Sequence, residues 1–437
     1  MLEAVGDSAW VQAMLDVEAA LARVEARLGV IPEAAAAVIA QSCRVEGFDI
    51  VQLGRQSADS ANPVVPLVAA LRAKVPAEAA PFVHRGATSQ DILDSGMMLV
   101  ARRGLDLILD DLEHAAAAAA VLADRYRSTL MAGRTLLQQA LVTSFGLKAA
   151  GWLLAMVEAR SALLTVRQQR LALQFGGAVG TLAALSDRGV DVMRVLAAEL
   201  GLAEPVAPWH TNRTRIAELG SALALAVGVA GKVALDVVLL AQTEVAEAHE
   251  AKTPGRGGSS TLPQKQNPVD AVEILAAVRG VNAQAGLLQG AMLQEHERAA
   301  GAWQAEWPAV TEILRLTGGA ISRLALLLSS LQIDPDRMRR NLDSAGGMIM
   351  AEQAVTSLAS RVDLVTARKL VDAAVSSASA TGRSLKDALL GDPAVTVHVT
   401  PEELAADLDP AAYLGVSNQF IDRALGTYRH AVPGGMQ

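Results

Sequence analysis

The chain has 437 residues, of which 51% are apolar and 3% aromatic, and its formal net charge is −8. This length allows two or three domains and a large core, and the acidic balance disfavours a nucleic-acid or membrane-surface partner. Cys43 is the single cysteine. A disulfide framework or a cysteine-based metal site therefore cannot form within one chain. The start has no basic segment followed by an apolar one, so we expect no secretory signal and a cytoplasmic protein.

Long helices are predicted by stretches that lack proline and are rich in Ala, Leu, Glu and Arg. No proline occurs in residues 82–204, 209–253 or 336–392. Apolar residues at helical spacing predict an opening helix over 8–28. Residues 213–250 are consistent with one long helix. Strand signals are scarce, and residues 395–399 form at most a minor strand.

We therefore predict an all-α protein with three regions. Residues 1–96 form an N-terminal domain of shorter helices, residues 97–340 a central domain of long helices, and residues 341–437 a C-terminal helical domain. Residues 219–241 are apolar enough to resemble a membrane span. Lys232 and Asp236 interrupt this stretch on one helix face, which is costly in lipid. We interpret it as the centre of a helix bundle.

A polar cluster at residues 84–91, HRGATSQD, predicts a helix that starts near Thr88 or Ser89. Hydroxyl and carboxylate groups are available there to cap the helix, and helix N-termini bind anions well. A capped helix without a ligand is an equally good interpretation of this segment alone.

The segment at residues 255–268, GRGGSSTLPQKQNP, is too rich in Gly and Pro for a helix and too polar for a buried strand. Small residues let the backbone approach a ligand, and their N–H groups can face an anion. Lys265 could hold the charge of a serine that exchanges its proton. The alternative is a mobile surface loop.

Residues 294–307, QEHERAAGAWQAEW, contain Arg298, which is the best candidate for a forked grip on a carboxylate. The alternative is an ion pair of Arg298 with Glu295 or Glu297. Earlier in the chain, residues 133–146 read GRTLLQQALVTSFG and contain no histidine.

A metal or nucleotide site is not indicated. The seven histidines include no pair at three- or four-residue spacing, and the chain has neither a dinucleotide-binding nor a P-loop motif. We therefore expect no cofactor and no metal.

These motifs together resemble the fumarase/aspartase superfamily. The loop at 255–268 resembles its Gly-Ser-Ser-x-Met-Pro-x-Lys-x-Asn-Pro signature, with Leu262 in place of methionine. Residues 84–91 and 133–146 resemble two further signature regions. The string at 294–307 is similar to that of the 3-carboxy-cis,cis-muconate cycloisomerases of the bacterial protocatechuate branch of the β-ketoadipate pathway.

The resemblance implies a homotetramer whose central bundle is made of the long helices, with each active site shared among three subunits and a signature loop over residues 253–268. It also implies that Ser260 protonates a carbanion next to a carboxylate, and that Lys265 and the loop N–H groups stabilise the serine alkoxide. The carboxylates of the substrate would be held by Lys265, Asn267, Arg298, His84, Thr88 and Ser89.

The expected activity is lactonisation of a small tricarboxylate, 3-carboxy-cis,cis-muconate, without a cofactor. Lyases of the superfamily carry a histidine where this chain has Leu136, and cycloisomerases commonly carry one where it has Gln139. Leucine cannot transfer a proton. Alternatives are an adenylosuccinate- or argininosuccinate-type lyase that releases fumarate, a cycloisomerase-like protein with an altered substrate, and a non-catalytic crystallin-like oligomer.

Overall fold

The computed structural model describes residues 1–251, 257, 258, 261, 262 and 264–432. Helices dominate this part of the chain, which confirms the all-α prediction. In chain order the α-helices are α1 (Leu2–Val5), α2 (Asp7–Arg27), α3 (Glu33–Ser42), α4 (Ile50–Ser60), α5 (Val64–Lys74), α6 (Ser89–Arg125), α7 (Phe145–Thr165), α8 (Gly189–Leu200), α9 (Thr214–Leu240), α10 (Val269–Gly290), α11 (Ala302–Ser330), α12 (Pro335–Asp343), α13 (Ala351–Ala359), α14 (Leu364–Thr381), α15 (Leu385–Leu390), α16 (Pro393–Thr396), α17 (Pro401–Asp407) and α18 (Ser417–Ala431).

The opening helix and the start of α6 at Ser89 agree with the sequence predictions. The prediction of one helix over 213–250 is wrong, because α9 ends at Leu240. Beyond it the carbonyl of Gln242 accepts hydrogen bonds from the N–H groups of Val245 and Ala246. Ala246 has a φ of +50°. This left-handed conformation cannot continue a helix.

The described residues also include four short strands: β1 (Leu130–Thr135), β2 (Gln138–Ser144), β3 (Ala248–His249) and β4 (Gln332–Ile333). β1 and β2 form an antiparallel hairpin, and β3 pairs antiparallel with β4. The hairpin was not predicted from the sequence. The minor strand expected at 395–399 is wrong, because α16 begins there with Pro393 in its first turn and the Asp392 carboxylate accepting from Ala394 N–H.

The chain divides into two compact units, each assembled from three stretches. Unit 1 comprises Met1–Glu113, Glu158–Lys232 and Glu273–Leu324. In this unit α2 packs against α3 and α8. The inward face of α2 carries buried residues such as Leu15, Leu21 and Val24. This burial is the main stabilising contribution of the helix. The predicted domain boundaries, after residues 96 and 340, stay a prediction.

Unit 2 comprises His114–Val157, Val233–Val272 and Ala325–Gln437. One of its apolar clusters is built from α13 to α17 and includes Leu358, Val371, Leu385 and Leu404. A second cluster places Ala132 and Val142 of the β1–β2 hairpin with Leu342 of α12. The hairpin is therefore anchored by its buried face.

Four of the described helical stretches are long and apolar enough to cross a membrane by length and composition: Phe145–Arg170, Thr214–Leu240, Val269–Gly290 and Ala302–Ser330. Half of the most apolar window in Thr214–Leu240 is buried within the fold. Its Asp236 carboxylate accepts a 2.7 Å hydrogen bond from the indole of Trp152. These features fit a helix packed in protein, where a partly buried carboxylate has a donor.

Candidate active site

The polar cluster at 84–91 lies in unit 1, where its hydroxyl groups begin helix α6. Nδ1 of His84 donates to Oε1 of Glu18 at 2.6 Å. The Ser89 hydroxyl accepts a 2.8 Å hydrogen bond from Nδ2 of Asn62. Side chains from α2 and from the segment between α4 and α5 therefore fix two of the residues that were predicted from the sequence.

Asp91 is fully buried and connects the start of α6 to the rest of the site. Its carboxylate accepts from Thr88 N (3.0 Å), Gln174 Nε2 (3.0 Å), Gly176 N (3.0 Å), Gly177 N (2.8 Å) and His210 Nε2 (2.9 Å). A glycine is required at 176, since a Cβ there would lie 2.7 Å from Pro208. The carboxylate thus caps the helix and holds the 174–177 segment against it.

Arg298 lies against this helix start. Its Nη2 donates to the Thr88 hydroxyl at 2.6 Å and to the carbonyl oxygens of Gly177 and Ala178 at 3.3 and 3.2 Å. The ion pair with Glu295 or Glu297 that we considered as an alternative does not form in the described part of the chain, where Glu295 accepts from Ala300 N–H. Burial lowers the pKa of Arg298, and the carboxylates of Asp91 and Asp94 oppose this shift.

Arg213, Asp94 and Glu306 form a buried ion cluster in the same unit. Arg213 donates to Asp94 at 2.7 and 3.1 Å and to Glu306 at 2.5 and 3.0 Å. All three side chains are inaccessible to solvent. Burial lowers the pKa of Arg213, but the two carboxylates outweigh it and the net direction is upward. Burial raises the pKa of Glu306 to about 6, against the opposing effect of Arg213.

This cluster joins the two motifs that the sequence singled out separately. The Trp303 indole donates to Asp94 at 2.9 Å, and Gln294 donates to Glu306 at 3.1 Å. Asp94 and Glu306 were not predicted as site residues from the sequence. A local signal was present, because Asp94 follows Ile92 and Leu93 and Glu306 lies between Ala305 and Trp307. A carboxylate among apolar helix residues needs a partner when it is buried.

The described residues of the signature loop, 257, 258, 261, 262 and 264–268, belong to unit 2. Ser260 lies outside the described residues. Lys265 is exposed, and its N–H donates to the carbonyl of Leu262 at 3.1 Å. Asn267 is partly buried, and its N–H donates to the carbonyl of Gly257 at 2.9 Å.

The C-terminal end of this loop is fixed by Glu250. Its carboxylate accepts from the N–H groups of Asp270 and Ala271 at 3.2 and 3.0 Å. Gln266 donates from Nε2 to the carbonyl of Glu250 at 2.5 Å. Glu250 therefore caps α10 and holds the base of the loop against the start of that helix.

The β1–β2 hairpin carries the segment in which no histidine was found. Leu136 and Leu137 form its two-residue turn, with φ of +51° and +66°. Their exposed fractions are 95% and 75%. Arg134 holds Glu247 through two hydrogen bonds of 2.9 and 2.6 Å, and Gln139 donates to the carbonyl of Asn341 at 3.2 Å. Neither leucine can take part in proton transfer.

Within the residues that the structure describes, no group of three or more His, Cys, Asp and Glu side chains is arranged to hold a metal ion. The expectation that the protein needs no metal and no cofactor stays a prediction.

Comparison with known proteins places this architecture in a family. Residues 1–284 match the family model described as lyase, and residues 347–424 match the model described as adenylosuccinate lyase C-terminus. A 3-carboxy-cis,cis-muconate cycloisomerase of Bradyrhizobium diazoefficiens is 46% identical, with 97% of this chain and 95% of the relative covered. A nitrosuccinate lyase of Streptomyces davaonensis is also 46% identical, with 98% and 93% covered.

Among solved structures, the 3-carboxy-cis,cis-muconate lactonizing enzyme of Pseudomonas putida superimposes with a TM-score of 0.92 at 39% identity, covering 96% of this chain and 94% of the other. The family models, the curated relatives and the solved fold agree along nearly the whole chain. The protein is therefore a member of the lyase family within the fumarase/aspartase superfamily.

Proposed function

We propose that the protein is a cycloisomerase that lactonises 3-carboxy-cis,cis-muconate to 4-carboxymuconolactone. The observation that carries the proposal is the position of Arg298 of the QEHER string, whose Nη2 donates to the Thr88 hydroxyl at the start of α6. Two sequence motifs that were assigned independently to carboxylate binding thus meet in unit 1. Two similar proteins that are named 3-carboxy-cis,cis-muconate cycloisomerase support the proposal.

The donors of this site suit a substrate with several carboxylates. Within the described residues, Nη2 is the only Arg298 nitrogen with a hydrogen-bond partner, so that the N–H groups of Nε and Nη1 remain to donate to substrate carboxylates. His84 and the hydroxyls of Thr88 and Ser89 supply further donors nearby. The N-terminus of α6 adds a favourable field for negative charge.

The reaction that we propose rearranges bonds without a leaving group. One carboxylate oxygen of the substrate adds to a double-bonded carbon, and the electron pair of that bond becomes a carbanion conjugated with the neighbouring carboxylate. Ser260 gives its proton to the carbanion, and Lys265 stabilises the alkoxide that remains. Lys265 and Asn267 also hold substrate carboxylates in this proposal. Because no amine or alkoxide departs, the reaction has no need of an acid at Leu136 or Gln139.

We further propose a cytoplasmic homotetramer in which three subunits contribute to each site. The signature loop and the Arg298 site lie on different units of the fold, and the long helices offer extended faces for association. Light scattering on the purified protein tests the tetramer, and a monomer or dimer with full turnover would contradict it.

A lyase is the second candidate, because the nitrosuccinate lyase of Streptomyces davaonensis is as similar as the cycloisomerase relative. Both reactions pass through a carbanion next to a carboxylate, so that the same donors would serve either. They differ in whether a group leaves the neighbouring carbon. Adenylosuccinate and argininosuccinate are tested as further lyase substrates.

The experiment compares these substrates on one preparation. Loss of the ultraviolet diene absorbance of 3-carboxy-cis,cis-muconate, with lactone as product, supports the cycloisomerase. Fumarate release from nitrosuccinate, adenylosuccinate or argininosuccinate, without lactonisation, supports a lyase and overturns the proposal. No turnover of any of the four by a folded protein rejects both reactions and is the result expected of the crystallin-like alternative.

The same assay tests the role of Ser260. Ser260→Ala should abolish turnover with no change in the oligomer, whereas Ser259→Ala, the matched change one residue earlier, should retain most of it. Near-normal turnover of Ser260→Ala would remove this serine from its role.

A further inference from the structure

A buried acidic residue behind the site has one hydrogen-bonding partner among the described residues, and that partner is His84. Glu18 on α2 is 1% exposed. Its Oε1 accepts from Nδ1 of His84 at 2.6 Å, while its Oε2 is buried and has no hydrogen-bond partner in the described part of the chain. A buried carboxylate is costly unless it is paired with a cation or fully hydrogen-bonded. Glu18 therefore favours the doubly protonated ring of His84 over the neutral one.

The backbone presents the His84 ring to this carboxylate. His84 has a φ of +64°, a left-handed conformation that is unusual for a residue with a side chain. Just before it, Nη2 of Arg72 donates to the carbonyl of Val83 at 3.2 Å and fixes the chain. The His84 side chain is 15% exposed. Within the described residues its second nitrogen, Nε2, has no partner, so the ring is anchored at one nitrogen and available at the other.

Charges on three helices act on this ring. They are Glu18 of α2, Arg72 of α5 and Asp91 of α6. Burial lowers the pKa of His84, but the charge and hydrogen bond of Glu18, assisted by Asp91, outweigh burial and Arg72, and the net direction is upward. The imidazolium therefore persists to higher pH than that of an isolated histidine.

We propose that Glu18 is a positioning residue that fixes the His84 ring and keeps its Nε2–H as a cationic donor for a substrate carboxylate. The inference rests on the proposed function, in which His84 holds such a carboxylate. Glu18 does not touch the substrate and acts through His84 alone. The proposal accounts for an acidic residue on the buried face of α2 close to a site that binds anions.

Glu25 supplies a matched control. It lies two turns after Glu18 on the same face of α2 and is 0% exposed. Among the residues that the structure describes, neither of its carboxylate oxygens has a hydrogen-bond partner. Glu18→Gln and Glu25→Gln are the same substitution at two buried positions of one helix face, and only Glu18 is bonded to His84. The first is expected to affect His84, and the second is not.

The experiment measures the titration of His84 directly, in protein labelled at histidine Cε1, by nuclear magnetic resonance. The signal of His84 is assigned among the seven histidines by its loss in His84→Asn. Glu18→Gln should lower the pKa of His84 by about one unit or more, which is about a tenfold change in the ratio of charged to neutral ring. Glu25→Gln should leave it nearly unchanged. An unaltered His84 titration in Glu18→Gln overturns the inference.

Kinetics supply the second measurement. With 3-carboxy-cis,cis-muconate at neutral pH, Glu18→Gln should raise KM about tenfold and change kcat by less than about threefold, because binding and not the proton transfer is weakened. The pH at which 1/KM falls should move to lower values. If Glu18→Gln does not fold, Glu18→Asp should lower the His84 pKa and raise KM by smaller amounts. Wild-type behaviour of Glu18→Asp in both measurements then overturns the inference.

The two measurements separate this inference from the proposed function. Loss of the His84 shift in Glu18→Gln, together with no turnover of carboxymuconate by the wild type, supports the coupling and rejects the substrate. Turnover with an unchanged His84 titration in the variant supports the substrate and rejects the coupling.

Discussion

Arg298 donates a 2.6 Å hydrogen bond from Nη2 to the hydroxyl of Thr88, although 210 residues separate the two in the sequence. The same nitrogen reaches the carbonyl oxygens of Gly177 and Ala178. Through this one nitrogen of its guanidinium group, Arg298 therefore links its own segment to the segments that contain Thr88 and Gly177. The planar fork leaves its other nitrogens in a fixed direction, which a flexible ammonium group cannot reproduce.

We predict that Arg298→Lys raises KM for the carboxylate substrate by about ten- to a hundredfold, with a smaller effect on kcat, because the charge is kept and the fixed planar donors of the guanidinium are lost. Steady-state kinetics measure this effect. The control is Arg315→Lys on α11, where Arg315 is exposed and pairs with Glu312 at 3.2 Å. Equal KM values for the two variants would assign Arg298 to packing alone.

The ion cluster of Arg213, Asp94 and Glu306 predicts a large effect on stability. Arg213→Met leaves two buried carboxylates without their cation, which should lower the free energy of unfolding by about 3–5 kcal/mol. Arg315→Met removes one side of an exposed pair and should lower it by less than about 1 kcal/mol. Urea denaturation of both variants checks this difference. Similar losses in the two would mean that the buried cluster adds little.

The sequence predicted the helical class, the opening helix and the start of α6, because proline spacing, apolar periodicity and capping residues are local signals. It missed the β1–β2 hairpin for a local reason as well. A two-residue hairpin turn with positive φ normally contains Asn or Gly, and here Leu136 and Leu137 occupy it. The turn chemistry that would have indicated a hairpin is absent.

The candidate site, too, was predicted only in part from the sequence. His84, Thr88, Ser89 and Arg298 were found by motif, and the structure places Thr88 and Arg298 in contact. The buried ion cluster was not predicted, since Arg213 contacts Asp94, which is 119 residues earlier in the chain, and Glu306, which is 93 residues later. No spacing rule in a single sequence reports pairs at such separations. An acidic residue with apolar neighbours in a helix indicates that it has a partner, but does not identify which residue that partner is.

The strained hairpin turn gives a prediction of its own. Leu137→Gly should stabilise the protein by about 1 kcal/mol, because glycine adopts a positive φ without the steric cost that leucine bears. Leu141→Gly in β2 should destabilise it, since glycine weakens a strand. Thermal unfolding separates the two by sign. A lower Tm for Leu137→Gly would mean that this leucine packs against another subunit in the assembly.

Glu25 gives the last prediction, which concerns pH. Burial raises the pKa of this carboxyl group from 4.5 to about 8; Arg85 lowers it and Glu18 raises it further. Between these two values the unfolded chain releases a proton that the folded protein retains. The free energy of unfolding therefore falls as pH rises from about 4.5 to about 8 and levels off above that. The burial of Glu25 is thus a cost that grows with pH.

Glu25→Gln removes this cost, because the amide is neutral at every pH. We predict that the variant and the wild type have similar stability near pH 4, and that the variant is more stable at pH 8 by an amount on the order of a few kcal/mol. Glu78→Gln, at an exposed position, should follow the wild type throughout. Urea denaturation across this pH range measures the difference. A Glu25→Gln stability that runs parallel to the wild type would show that Glu25 is ionised in the folded protein, held by a partner.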